Sequence, residues 1–481
     1  MPDPPAGAIA PDHACIYGLR NQTRALCAVS GDEDRTQFLL GTLGLACENE
    51  VHLIQHNDSD DSDDHDRRYG NNTGGTLSHV VFRHPHEIHC MATSASPDAA
   101  NLLATCYNVV GERSTRMRAT LWRMDREIMQ SVSQRSGTTN LDLEPLVSLE
   151  DKFSRFGIAE ILFNPNGSLS KLVGHDRVTL AIYSLAEGMS TAVVGSTIVI
   201  ASSPTFNSSP SPSPTSPTAR SPTSPPSPNA AYTSGGFGIG SAAIRGFAWS
   251  PHSGGLGSDA QIAVVHGASM SLADTRAARV TTRVPLPAAA ATVDFNPNKP
   301  YQVMTGHDDG VVRVWDVRSV RSSATPSTPG GSGPGGEGAG ARCVLEWQAH
   351  SHWTTRVAYN RYHDQLVLSG SSDHQVALAC IGSVSSLPVG GSDSGGGGTY
   401  YSSEDEGAEG GGGEETTRPA VTTRPPRLED GVLATLDHLE DSVYGLAWSA
   451  ADPWTYCMSS YDGRVVVNSV PNTVKYKVMG V

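Results

Sequence analysis

One short pattern recurs along this chain and limits what it can fold into: an apolar strand ending in an aromatic residue, then Asn or Ser, then a turn. It reads Leu162-Phe163-Asn164-Pro165, Ala248-Trp249-Ser250-Pro251, Asp294-Phe295-Asn296-Pro297, Ala358-Tyr359-Asn360-Arg361 and Ala447-Trp448-Ser449-Ala450, with a weaker copy at Ala92-Thr93-Ser94. The third-column residues lie 70, 86, 46, 64 and 89 apart; with intervening linkers of 18, 40, 21 and 45 residues set aside, the intervals become 52, 46, 46, 43 and 44. A period near 45 built from short alternating strands is the signature of a four-stranded propeller blade.

The linkers are set aside on composition. Residues 201–240 are Ser/Pro-rich and then Gly-rich, 321–341 are Gly/Pro/Ser, 386–430 are Gly/Glu-rich, and 57–76 and 125–142 are polar. Such stretches bury too little apolar surface to offset the entropy of ordering them.

The second half of the repeat is legible too. Thr305 to Asp316 reads as a strand, an Asp-Gly turn and a strand closing on Trp315-Asp316; Ser369 to Asp373 and Ser459 to Gly463 copy its first strand and turn. In this repeat class a His ahead of the first strand, a Ser or Thr in the second, the turn Asp and the Trp form a buried hydrogen-bonded chain, which satisfies groups that burial would otherwise penalise. His350, Ser369 and Asp373 are expected in one such chain, His438, Ser459 and Asp462 in another, and Asp309 with Trp315 in a third. Ala379 and Asn468 stand where two further Trp residues would fall.

Counting strands predicts seven blades, at 24–84, 87–150, 157–200, 243–286, 291–350, 353–441 and 442–481. The fold class is all-β: a seven-bladed WD40 β-propeller over 15–481 with long disordered insertions, preceded by a disordered 1–14. The fourth strand of the last blade is open between Ile16 to Leu19 and Lys475 to Met479, since either closes the ring and removes exposed sheet edges.

Charge narrows the partners. Six Asp in 57–66 and a net −6 in 387–430 account for −12 of the formal −15, so the remainder is nearly neutral. Nucleic acid is not an expected partner, because no clustered basic surface is present to neutralise phosphates. No apolar run approaches the ~20 residues of a membrane span, and Met-Pro-Asp-Pro-Pro lacks the features of a secretory signal, so a cytoplasmic location is expected. The eight Cys form no Cys-x-x-Cys pair and read as reduced core thiols.

His84, His86, His89 and Cys90 resemble a metal cluster but read as the His-bearing loop before a first strand, so no metal is expected. Gly236 to Gly240 imitates a dinucleotide loop but follows a Ser/Pro tract and precedes a strand, where a phosphate cradle needs a strand before and a helix after. With no nucleophile elbow, P-loop or zinc-protease motif, neither an enzyme, a cofactor nor a small-molecule substrate is indicated. Trp315-Asp316-Val317-Arg318 is a Trp-Asp-x-Arg box, which in some propellers docks the adaptor of a cullin-RING ubiquitin ligase through its Arg; Arg318 therefore carries an alternative role as the contact of a ligase substrate receptor.

Several longer strings lie outside the generic repeat. They include Thr105-Cys106-Tyr107-Asn108, Asp294 to Lys299, His350-Ser351-His352-Trp353, His363 to Leu366, Glu440 to Tyr444, Ala451 to Trp454 and Ser460 to Arg464. Through them the chain resembles the EARP- and GARP-complex-interacting WD-repeat proteins over almost its whole length. Residues 201–240 and 321–341 look like insertions relative to that family, and Ala273 stands where its pattern would put Trp. The resemblance implies a non-catalytic scaffold that binds EARP and GARP tethering-complex subunits. It also implies peripheral, protein-mediated association with recycling endosomes and the trans-Golgi network, and a role in endosomal recycling, retrograde transport and secretory-vesicle traffic. It assigns no interface residues.

Overall fold

A computed structural model of the chain describes residues 14–44, 48–57, 75–109, 117–149, 157–169, 171–186, 191–200, 243–252, 261–318, 341–386 and 429–479. They form seven sheets, each built on four antiparallel strands. Blade one comprises Thr23–Ala28, Gln37–Thr42, Asn49–Asn57 and Thr76–His84; blade two Glu87–Thr93, Leu102–Asn108, Met117–Arg123 and Glu144–Leu149; blade three Glu160–Phe163, Lys171–His175, Thr179–Leu185 and Ala192–Val199. Blade four comprises Ile244–Trp249, Gln261–His266, Ser269–Asp274 and Arg279–Pro285; blade five Ala290–Phe295, Gln302–His307, Val311–Asp316 and Arg342–Gln348; blade six Thr354–Tyr359, Leu366–Ser371, Val376–Cys380 and Gly431–Leu436. First strands of neighbouring blades touch at six junctions, including that of blade seven (Val443–Trp448) with that of blade one, and blades three and four meet through a shared core of Val173, Ile182 and Ile198 with Phe247, Trp249 and Val264, so the sheets close into a ring around an axis lined by first strands.

The recurring Asn/Ser has a mechanical role. Each stands one residue beyond the end of a first strand, where its side-chain oxygen caps the following turn. Asn296 Oδ1 accepts the N–H groups of Asn298 and Lys299, both at 2.8 Å. Asn360 Oδ1 accepts those of Tyr362 and His363 at 2.9 Å, and Ser449 Oγ those of Ala451 and Asp452 at 3.2 and 3.1 Å. Asn164, Ser250 and Ser94 each cap one N–H in the same place. These are Asx and Ser turns, so the motif marks every blade whose turn is held this way. Blade one has Val29 at that position, and Asp32 caps its turn instead.

Ring closure falls to the amino terminus. Cys15–Gly18 pairs antiparallel with the third strand of blade seven (Arg464–Ser469), Cys15 opposite Val467 and Gly18 opposite Arg464. The rival stretch Lys475 to Met479 lies instead in a helix, α2 (Asn472–Met479), which starts directly after Pro471 and buries Val474.

Residues 125–142, expected from composition to be an unstructured insertion, are folded. Asp125 caps a short helix, α1 (Arg126–Gln130), by accepting the N–H groups of Glu127 and Ile128. Thr138–Leu141 then adds in parallel to the outer strand of blade one, with Val80 opposite Thr138 and Phe82 opposite Leu141. Polar composition concealed two apolar anchors: Met129 and Val132 are buried among Leu39, Phe82 and Leu143. The tracts at 57–76, 201–240, 321–341 and 386–430 fall, apart from their ends, outside the described residues.

The core lies between blades, where sheet faces stack. Leu39, Val51 and Leu53 of blade one meet Ile88 and Leu103 of blade two, all fully buried, each such side chain contributing about 1.5–3 kcal/mol. Close approach of the blades requires glycine at one repeated place in second strands: a Cβ at Gly41, Gly306 or Gly370 would lie 2.8, 2.6 or 2.7 Å from a methyl of Ile88, Thr354 or Val443, each in the first strand of the next blade. In blade four Ala273 is fully buried, so the position that lacks the family Trp is still packed.

Candidate functional site

The buried polar chains are the first features to locate, because the sequence singles them out. In blade six, His350 Nε2 lies 2.8 Å from Ser369 Oγ, and its Nδ1 lies 3.4 Å from Asp373 Oδ1. Asp373 also accepts the N–H groups of Ser351 and Gln375. Burial alone would raise the Asp373 carboxyl, but His350 and these donors outweigh it and hold the carboxyl well below its usual range. In blade seven the expected partners do not meet: His438 Nε2 and Ser459 Oγ, both buried, have no hydrogen-bond partner among the described residues, and Asp462 bonds Ser460 Oγ and the N–H of Arg464 instead.

Blade five is a correction. Trp315 Nε1–H donates to Thr305 Oγ1 at 2.8 Å, and Thr305 Oγ1 lies 2.8 Å from His307 Nε2. The histidine therefore comes from the end of the second strand and not from the loop before the first. Asp309 is outside this chain, bonded to the guanidinium of Arg313 at 2.9 Å, because no loop histidine is there to take it. Blade two holds a chain of which the sequence reading named only the His-bearing loop and missed Trp122 and Thr105: Trp122 Nε1–H donates to Thr105 Oγ1 at 2.8 Å and His84 Nε2 lies 3.1 Å from the same oxygen. Arg123 follows that Trp in place of Asp, so no Trp-Asp signal marks it. One proton order fits the shortest bonds of both blades: Trp to Thr, Thr to Nε2, and Nδ1–H to a backbone carbonyl, of His86 in one and Ala288 in the other, with the His86 N–H also 3.2 Å from Nδ1 of His84. Burial lowers the His84 imidazole to about 4, which keeps it neutral.

The histidines of the 84–90 loop diverge. While His84 serves the chain, His86 stacks on Tyr107 and His89 bonds Glu87 at 3.2 Å. Among the described residues no group of three or more His, Cys, Asp or Glu is arranged to hold a metal. A cleft of about 270 Å³ lies between the blade-one turn and α1, lined by Asp32, Arg35, Asn101, Arg126 and Met129. Its cations are engaged locally, Arg35 on Asp32 and Arg126 on the carbonyl of Asp98.

Arg318 is exposed, at 61% of its side-chain surface, and folds back on its own box: Nη2 lies 2.6 Å from Asp316 Oδ2 and the guanidinium sits 3.6 Å from the Tyr301 ring centre.

The end of the ring where first strands begin is shaped by a repeated bulge. In six of the seven first strands one residue is extra to the pairing: Arg24, His89, Arg245, Ala291, Thr355 and Tyr444. A bulge at a sheet edge re-aims side chains. Arg24 is exposed and lies 4.5 Å from the Tyr444 ring centre and 5.2 Å from that of Tyr461. Arg356, next to the Thr355 bulge, donates from Nε to the carbonyl of Tyr444 at 2.9 Å. Its Nη2 lies 3.9 Å from Glu160 of blade three, a contact across the axis between non-neighbouring blades. Burial would raise the Glu160 carboxyl, but the bond from His175 and the charges of Arg356 and Arg177 outweigh it and lower its pKa.

Seven radial four-stranded sheets with Trp-Thr-His and His-Ser-Asp chains between their strands define a WD-repeat β-propeller. A family model described as the EIPR1 beta-propeller matches residues 227–379. The chain is 29% identical over 473 residues to human "EARP and GARP complex-interacting protein 1", covering 97% of this chain and 99% of that protein, and 30% identical over 473 residues, with the same coverage, to the "EARP-interacting protein homolog" of Gekko japonicus. It is 36% identical over 188 residues to "EARP-interacting protein 1" of Caenorhabditis elegans, covering 39% and 41% of the two chains. The chain belongs to the family of EARP- and GARP-complex-interacting proteins. No helix among the described residues is long and apolar enough to cross a membrane.

Proposed function

We propose that this chain is a non-catalytic scaffold that binds EARP and GARP tethering complexes and supports their recruitment to recycling endosomes and the trans-Golgi network. There it serves endosomal recycling, retrograde transport and secretory-vesicle traffic. What supports the reading is likeness along nearly the whole chain to a protein named for interaction with both complexes, on a closed ring that can offer two ends and a rim to different chains at once. The thiols fit a non-catalytic role, since burial pushes those of Cys27, Cys106 and Cys457 up and away from thiolate chemistry.

The test is affinity purification of the tagged full-length chain from its own cells with quantitative mass spectrometry. Tether subunits are expected among the enriched proteins; a ligase adaptor and cullin without any tether subunit would overturn the reading. The exposure of Arg318 favours that second reading enough to include Arg318→Ala, which removes adaptor capture if Arg318 docks a ligase and leaves tether capture unchanged if the chain is a tether scaffold.

A further inference from the structure

At the end of the ring where first strands begin, the junction of blades six, seven and one carries an arginine with no counter-charge among the described residues. Arg24 makes no hydrogen bond or ion pair among the described residues, yet its guanidinium packs against the rings of Tyr444 and Tyr461, which meet edge to face 6.0 Å apart. A surface arginine normally gives up rotamer freedom when it meets a carboxylate; here two aromatic faces have already restricted it while its N–H donors stay unbonded. Arg356 reaches the same residue from the neighbouring first strand, bonded to the Tyr444 carbonyl. Three residues before Arg356, Trp353 is 51% exposed, with its backbone carbonyl fixed by the N–H of Ser372 at 3.0 Å.

None of the nearby carboxylates bonds Arg24. Glu440 pairs with Arg464 at 2.7 Å, Asp462 accepts from Ser460 and the N–H of Arg464, and Asp441 accepts the N–H of Ser442. Trp, Tyr and Arg on strands and the turns that flank them, with one guanidinium lacking a counter-charge, are the composition of an interface hot spot.

We propose that Arg24, Trp353, Arg356, Tyr444 and Tyr461 form a docking surface for an extended acidic segment of a partner protein. A carboxylate of the segment lies on the Arg24 guanidinium and an apolar side chain on Trp353, while Arg356, held on the Tyr444 carbonyl, adds positive charge beside them. A guanidinium presents a planar fork to a carboxylate and stacks on aromatic rings at the same time, which an ammonium cannot do. The inference rests on the tether-scaffold reading and assigns to it a place on the ring and a ligand chemistry.

The experiment compares tether capture by the full chain and by Arg24→Glu, Arg24→Gln, Trp353→Ala and Tyr444→Ala, with Tyr476→Ala of α2 as a variant elsewhere on the surface, each checked for an unchanged unfolding midpoint. Arg24→Glu is expected to lower capture about tenfold or more, Arg24→Gln and the aromatic variants less, and Tyr476→Ala not at all, with wild-type capture weakening as salt rises. Capture that survives Arg24→Glu overturns the proposal and leaves the scaffold reading standing. Absence of tether subunits from the wild-type sample overturns both. A chain lacking 387–428 tests the remaining occupant: if Arg24→Glu lowers capture in the full chain but not in the chain without that tract, Arg24 acts through the chain's own acidic tract and the partner proposal fails.

Discussion

The carboxylate of Asp294 accepts a hydrogen bond from the backbone N–H of Tyr359 at 2.8 Å, which ties the first strand of blade five to that of blade six. Its other oxygen accepts the N–H of Phe295 at 2.9 Å. Burial raises the Asp294 carboxyl to about 7 against the opposing pull of these donors and of the Arg361 charge. Between the usual carboxylate pKa and 7 the folded protein holds a proton that the unfolded chain has lost. Stability therefore falls as pH rises through that window, and the penalty is complete above it. Urea unfolding of wild type at pH 5 and pH 8 is expected to show a loss on the order of 2–4 kcal/mol from this group. Asp294→Asn, less stable overall because its amide nitrogen faces one N–H, should show a flatter dependence. Parallel pH curves for the two proteins would rule the assignment out.

The Trp122, Thr105 and His84 chain predicts a loss that depends on one hydroxyl. Thr105→Val keeps the shape and strands both the indole N–H and the His84 Nε2, at a cost of about 1–3 kcal/mol. Thr105→Ser should recover most of it. Nitrogen-detected NMR should find His84 neutral with its proton on Nδ1; protonation on Nε2 would contradict the bond order.

How much of this was readable in advance follows from what each feature demands of its residues. The Asn296, Asn360 and Ser449 turns were legible, because a side-chain oxygen one place past a strand end is a local requirement that only a few residue types meet. The Trp122 chain was not, because the turn Asp and the dipeptide Asp are dispensable to the bonds themselves; only a Trp, a hydroxyl and a histidine must converge, from positions far apart in sequence. His307 was missed for a related reason: it reaches the same hydroxyl from the end of the second strand, so an expectation tied to the preceding loop looked in the wrong place. The exposed cluster around Arg24 left no pattern either, since it joins the start of the chain to residues of blades six and seven across the ring seam.

Gly370 lies in the fully buried second strand of blade six, where an added Cβ would sit 2.7 Å from Val443 Cγ1. Gly370→Ala is expected to cost about 1–3 kcal/mol by overpacking, read as a lower denaturant midpoint. Because the obstacle is a side chain, Gly370→Ala with Val443→Ala should cost less than the sum of the two single changes. Additive losses would show that the strain lies in the backbone instead.

The folded insertion of blade two predicts that equally polar tracts differ in consequence. Gln37 Nε2 donates to the carbonyl of Met129 at 2.7 Å, and Met129 is buried against blade one. Met129→Ala should destabilise by about 2–4 kcal/mol through the cavity it leaves, while removing 387–428 should leave the thermal midpoint near its wild-type value. A Met129→Ala midpoint equal to wild type would mean that α1 detaches freely.

The pairing of Cys15 with Val467 joins residues separated by nearly the full length of the chain. A ribosome delivers the first of these strands long before the second, so Cys15–Gly18 waits unpaired while six blades are made. The last event in assembling the molecule is thus the capture of its earliest strand by its latest, and until then the third strand of blade seven presents an open edge to any other chain in the cell. A folding intermediate with six finished blades and one incomplete sheet is the species that chaperones and aggregation would compete for.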